Sequence, residues 1–329
     1  MEYLNAAVIG LLVAAAWGAP ARGEEPAPAW KPLAGALTLA FAPGSNAVLL
    51  LLDSESRPRV VDFADPARPK LAATLPEAKT AAYVADERIA TGHEDGTIKL
   101  WTRDGKALKS AGAGKRPIMT LAASPSGRVL ASLDEDHALR LWTPDLVPRT
   151  ELVGKRKCQY DSVIQEPPVA FSADESRIAA ASLCGGFAAW TLAGRPIPVR
   201  RIRDLHWGTG LAFSRDGQAL AVLSRADPGE HNFFLPIEQG RFGTARKVGD
   251  EQRYMQSVVP GLAGTAFAYA LEGNIVLASP KGAAVAKIPF EGVYLVATSS
   301  DGRRLAAVGG DAIAIWDETR KQVALLRLE

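Results

Sequence analysis

Residues 88–108 read RIATGHEDGTIKLWTRDGKAL, and this stretch decides the fold. Apolar Ile98 and Leu100 alternate with polar Thr97 and Lys99, the period of a half-buried strand. A turn of Glu94-Asp95-Gly96 precedes that strand and one of Arg103-Asp104-Gly105 follows it, the chemistry of tight reversals. Nowhere does the chain show an apolar helical stripe of ten or more residues, so a parallel sheet would have no crossover helices.

The same grammar of strand, turn and strand recurs along the chain. First strands with their turns read LAFAPGS from Leu39, AAYVADE from Ala81, LAASPSG from Leu121, VAFSADE from Val169 and LAFSRDG from Leu211. A weaker VVPGLAG starts at Val258, and VATSSDG starts at Val296. Taking Phe41, Tyr83, Ala123, Phe171, Phe213, Val259 and Thr298 as equivalent gives spacings of 42, 40, 48, 42, 46 and 39. A period in the low forties without helices fits four-stranded propeller blades, and seven of them need roughly 300 residues. The expected fold is therefore all-β: a seven-bladed β-propeller of four-stranded antiparallel blades over residues 33–329. The first and last repeats each carry four strands of their own, so little or no exchange of terminal strands is expected.

Four third strands end in tryptophan: Trp101, Trp142, Trp190 and Trp316, the last followed by Asp317. With IATGHEDG and LASLDEDH upstream, the chain resembles the WD40-repeat family over residues 33–329, in the form of an exported bacterial-type propeller. The resemblance implies a polar tetrad-like framework from Thr91, Asp95 and Trp101 in blade 2, and from Ser132, Asp136 and Trp142 in blade 3. The chain departs from the family pattern in three ways. No Gly-His pair precedes the first strands, His93 stands in place of a serine, and blades 1, 5 and 6 lack the tryptophan. The four tryptophans read as core, packing one blade on the next.

Composition narrows the function. The 38 basic and 36 acidic residues give a net charge of +2, without the basic stripe of a nucleic-acid binder. Two cysteines and four scattered histidines leave no zinc, iron–sulfur or haem motif, and GAGKRP from Gly112 lacks the first glycine of a phosphate loop. No metal or cofactor is expected. The apolar run Ala6–Trp17, followed by Ala19-Pro20-Ala21, has the length of a secretory signal over residues 1–21, or of an uncleaved N-terminal anchor. Residues 22–32 read as a disordered lead-in, and no integral membrane domain is expected. An exported, periplasmic location follows.

In the fourth repeat, alignment with the second puts Cys184 at the place of Asp95, and Cys158 lies in the connection leading into that blade. Both fall on the top face of a propeller. A Cys158–Cys184 disulfide is expected there, against two unpaired thiols, and it would contribute about 3–4 kcal/mol.

The residues just before the first strands should rim the central opening: Lys79, Arg116, Glu166, His206 with Trp207, Arg253 with Tyr254, and Glu291. Of these, Arg116, His206, Trp207, Arg253 and Tyr254 are the candidate binding residues, against ordinary solvated loop positions. No catalytic residue is assigned. His137 and His231 fall in second-to-third-strand turns and read as exposed. Two functions remain. The first is an exported, non-enzymatic interaction scaffold, a monomeric ring or part of a hetero-complex, whose top loops bind a protein partner in the cell envelope. The other is a ligand-binding or catalytic propeller acting on an anionic small molecule in the central funnel. Adjacent Phe233 and Phe234, in the insert at 224–235, would suit a hot spot if exposed, or belong to a degenerate third strand.

Overall fold

A computed structural model describes residues 38–52, 55–85, 87–152, 168–181, 186–200, 202, 205, 207–225, 230–248, 255–310 and 312–327. Every regular element among them is a strand. Consecutive strands pair antiparallel into seven sheets arranged as a propeller. Blade 1 comprises Thr38–Phe41, Val48–Leu52, Pro58–Asp62 and Lys70–Thr74. Blade 2 comprises Thr80–Val84, Arg88–Gly92, Thr97–Trp101 and Ala107–Gly112, and blade 3 Ile118–Ala123, Leu130–Asp134, Leu139–Trp142 and Pro148–Glu151. Blade 4 is the slightest, with Val169–Phe171, Arg177–Ala181, Phe187–Thr191 and the two-residue Pro196–Ile197. Blade 5 is the longest: Trp207–Phe213, Ala219–Arg225, Glu230–Glu238, and an outer strand split into Arg241–Phe242 and Arg246–Val248. Blades 6 and 7 complete the ring as Met255–Pro260, Phe267–Leu271, Asn274–Ala278 and Ala284–Pro289, then Val293–Thr298, Arg304–Gly309, Ala312–Asp317 and Gln322–Arg327.

The core is not one cluster but seven, each shared by two neighbouring blades. The second strand of blade 1 shows why. In Val48-Leu-Leu-Leu-Leu52, Leu49 and Leu51 pack against blade 7, while Val48 and Leu50 pack against blade 2. Side chains alternate faces along a strand, and both faces here are covered, so the sequence is continuously apolar rather than alternating. The tryptophans follow the same logic. Trp101, Trp142, Trp190 and Trp316 each face the preceding blade. Val61 and Leu235 fill the matching register positions in blades 1 and 5, and Ala278 does so in blade 6.

First strands of neighbouring blades touch one another right round the circle, including blade 7 with blade 1. The first and last sheets are each made from their own four consecutive strands, without exchange of strands between them among the described residues.

Two details differ from the sequence reading. In blade 6 the position equivalent to Phe41 is Pro260 rather than Val259: Pro260 pairs with Phe267, and Gly261 N donates to Ala266 O in the turn that follows. Phe233 and Phe234 lie inside the third strand of blade 5 and are buried, so they offer no exposed hot spot. Each faces a different neighbour, Phe233 towards blade 4 and Phe234 towards blade 6. Pro236 in the same strand has no N–H to give an outer partner, and the outer strand is interrupted beside it.

The turns between first and second strands repeat one device. In Ser172, Ser214 and Ser299 a buried hydroxyl donates to the carboxylate two residues on, Asp174, Asp216 and Asp301, at 2.5–2.7 Å. The same carboxylates accept from the backbone N–H of Ser176, Gln218 and Arg303. Buried hydroxyls are thereby satisfied, and these aspartates are held below the ordinary carboxylate range at 174 and 301 by such bonds, against the opposing effect of burial.

Candidate functional site

The top face is formed by the connections between blades and the turns between second and third strands. On blade 2, Trp101 Nε1 donates to Thr91 Oγ1 at 2.8 Å, and Thr91 Oγ1 lies 2.9 Å from His93 Nε2. His93 therefore brings an imidazole to the same hydroxyl from within the turn. Asp95 stands outside this chain, and its Oδ1 accepts from Thr97 N at 2.9 Å and Thr97 Oγ1 at 2.6 Å. On blade 3, Trp142 Nε1 donates to Ser132 Oγ at 2.9 Å. Here the buried carboxylate is Asp134, which accepts from Ala138 N and from Arg140 Nη1. Asp136 instead faces Arg116. His137 is buried rather than exposed, in a left-handed turn conformation at φ 62°. Burial pushes the proton affinity of both His93 and His137 below the usual imidazole value.

The rim is laced to these turns. Arg116 Nη2 lies 2.6 Å from Glu135 Oε2 and its Nε 3.3 Å from Asp136 Oδ1. Lys79 Nζ lies 2.9 Å from Glu94 Oε1. The backbone follows suit: Ala113 N donates to Gly96 O, Ile118 N to His93 O, and Glu135 N to Pro117 O. Gly96, at φ 77°, comes so close that a Cβ there would stand 2.6 Å from Gly114 O. The glycines of GHEDG and GAGKRP thus allow two loops to cross in contact.

Of the other sequence-derived candidates, Trp207 begins the first strand of blade 5 instead of preceding it. Glu291 is exposed in the turn before blade 7. Glu166, His206, Arg253, Tyr254, Cys158 and Cys184 lie outside the described residues.

The seven innermost strands contain no Asp, Glu, Lys, Arg or His. Two of their hydroxyls bind neighbouring blades: Leu121 N donates to Thr80 Oγ1 at 3.1 Å, and Thr298 Oγ1 to Pro260 O at 2.8 Å. Among the described residues, no group of three or more His, Cys, Asp or Glu side chains is placed to hold a metal ion.

The opposite, bottom face holds a contact that no sequence motif announced. Arg215, in the first turn of blade 5, donates from Nε to Gly261 O in blade 6 at 2.5 Å. Its Nη1 and Nη2 reach Ser300 O and Ser299 O in blade 7 at 3.0 and 3.1 Å. One guanidinium ties three blades.

The family model "WD domain, G-beta repeat" matches residues 106–143, which run from the outer strand of blade 2 through the third strand of blade 3. The nuclear distribution protein nudF of Aspergillus terreus (strain NIH 2624 / FGSC A1156) is 40% identical over 82 residues, covering 24% of this chain and 18% of that one. Its counterpart in Aspergillus niger (strain ATCC MYA-4892 / CBS 513.88 / FGSC A1513) is 33% identical over 100 residues, 30% of this chain and 23% of that one. Telomerase protein component 1 of Rattus norvegicus is 27% identical over 170 residues, 49% of this chain and 6% of that one. The chain thus spans less than a quarter of the length of these curated relatives.

Proposed function

We propose that the chain, a WD40-repeat propeller, is a protein-interaction scaffold that presents its top-face loops to a protein partner. One observation carries this reading over a ligand funnel. Lys79 and Arg116, two described cations of the rim, are engaged by carboxylates of the adjoining turns, and the innermost strands bring no charged group to the opening. An anion entering there would compete with carboxylates already in place, and proton transfer would lack a charged acid or base on the wall. A stiff ring with polar loops at its mouth suits recognition of a protein surface instead.

The apolar leader supports a partner met after export, in the cell envelope. Export also supports the Cys158–Cys184 disulfide, and intact mass after alkylation without reductant tests it: two modified thiols contradict the bond.

A photo-crosslinking residue at exposed Lys115 on the top face, set against one at Glu318 on the bottom face, tests the scaffold. The expected result is a protein adduct at 115 and none at 318 in envelope fractions. Absence of a protein adduct at 115, together with an anionic metabolite that raises the melting temperature of the wild type but not of Arg116→Ala, would support the funnel instead.

A further inference from the structure

We infer that the outer strands of blades 4 and 5 form a second docking surface, for an acidic segment of a protein partner; this rests on the scaffold reading above. Residues 193–200 and 238–248 carry Arg195, Arg200, Arg241, Arg246 and Lys247, all exposed, against the single carboxylate of Glu238. The whole chain, by contrast, is balanced at 38 basic to 36 acidic residues.

The four arginines make no ion pair among the described residues. Arginines near the junctions of blades 1 to 3 are matched: Arg88 of blade 2 lies 2.7 Å from Asp145 of blade 3, and within blade 3 Arg140 contacts Asp134 and Glu151 at 2.7 and 3.1 Å. Arg103 bridges Asp62 and Glu87 at 2.5 and 2.7 Å.

Packing holds the two blades together at this arc. Phe242, next to Arg241, meets Phe187 of blade 4 edge to face at 5.5 Å. A Cβ on Gly240 would stand 3.8 Å from Arg177 Nη2. Arg177 in turn pairs in register with Thr191, whose N–H donates to Arg195 O at 2.8 Å. Arg195 and Arg177 of blade 4 thus lie beside the Gln239-Gly240 turn of blade 5, and Arg241 follows that turn, paired in register with Glu238. The nearby carboxylate of Asp174 is taken up by Ser172 and Ser176.

Guanidinium groups match carboxylates in a two-pronged geometry and are less strongly hydrated than ammonium groups, which favours them at protein interfaces. Four exposed arginines without an ion pair among the described residues, on two outer strands, fit a run of Asp and Glu side chains.

The test uses a fluorescein-labelled octaglutamate peptide, with fluorescence anisotropy at about 50 and about 300 mM salt, where screening differs strongly. Wild-type protein should bind it at low salt. Arg195→Glu/Arg241→Glu/Arg246→Glu should weaken binding by at least about tenfold, as expected for several charge-assisted contacts. Lys281→Glu/Lys287→Glu/Lys321→Glu makes the same charge change on blades 6 and 7 and should keep affinity within about twofold. Both variants should retain the wild-type melting temperature within a few degrees. Equal loss in both variants, no wild-type binding at low salt, or tighter binding of an RNA octamer would overturn the inference. A protein that still crosslinks its partner at position 115 but ignores octaglutamate overturns only this surface and leaves the scaffold standing.

Discussion

Asn46 Nδ2 donates to Asp301 Oδ2 at 2.9 Å, joining residues 255 positions apart in sequence. The two side chains belong to the same kind of turn, between the first and second strands, on blades 1 and 7. Asp301 also fixes its own turn by accepting from Ser299 Oγ and Arg303 N. Beneath this exposed bond lies the apolar seam of Leu39, Leu49 and Val61 against Val308, Ile313 and Ile315. Closure therefore comes from side-chain packing of ordinary blade faces. The hydrogen bond sets register, since an exposed bond contributes only about 1 kcal/mol.

Arg215→Ala should destabilise the protein by about 2–4 kcal/mol, because three charge-assisted donors to backbone carbonyls are lost together. Urea denaturation checks this, and Arg215→Lys should recover only part. Gly302→Ala should behave similarly, since its φ is 75° and a Cβ would stand 2.5 Å from the Arg215 guanidinium carbon. A loss below about 0.5 kcal/mol in Arg215→Ala would show that the clasp carries no load.

How much of this was legible depends on where the determinants lie. Phe41, Tyr83, Ala123, Phe171, Phe213 and Thr298 share one register row in the structure, as their spacing implies. These repeats were readable because each is followed by its own local turn chemistry. VVPGLAG has no Ser-x-Asp turn to mark the reversal, and a proline, Pro260, stands where the other first strands carry an apolar or hydroxyl side chain, so the spacing there slips by one. The environment of Arg116 was not readable at all. Its partners Glu135 and Asp136 lie on a different turn, and only folding brings them to it. Arg215 is the same case, reaching residues 46 to 85 positions away.

Phe234→Ala should cost about 3–5 kcal/mol, the range for emptying a buried aromatic site. The ring is 1% exposed and meets Phe267 of blade 6 edge to face at 5.1 Å. Thermal unfolding measures the loss, and unchanged stability with weakened partner binding would restore these phenylalanines as an interface hot spot.

Tyr83→Phe should be neutral or stabilising by up to about 1 kcal/mol. The hydroxyl is buried without a hydrogen-bond partner among the described residues, and burial pushes its ionisation well above the tyrosine range. Removing it leaves the ring's packing between blades 1 and 2 in place. Chemical denaturation decides, and a loss above about 1 kcal/mol would mean the hydroxyl is engaged.

His93 should make the protein less stable in mild acid. Its folded proton affinity lies below the ordinary value of 6.5, chiefly through burial and then Lys99, with Asp95 opposing. A lowered imidazole value means full stability above 6.5, lost as pH falls below it and the unfolded chain takes up the proton first. His137 shifts in the same direction, through burial opposed by Asp134 and Asp136. Stability measured at pH 7.5 and 5 should fall less in His93→Gln than in wild type. An identical fall in both would remove His93 from the account.

The closed circle is tested most directly by spin-label distances among third-to-fourth-strand turns, at Ala67 in blade 1, Ala193 in blade 4 and Glu318 in blade 7, with the native cysteines replaced by serine. The ring predicts a shorter distance from 67 to 318 than from 67 to 193, although the first pair is far more widely separated in sequence. Distances that instead grow with sequence separation, as in an open stack of blades, would contradict it.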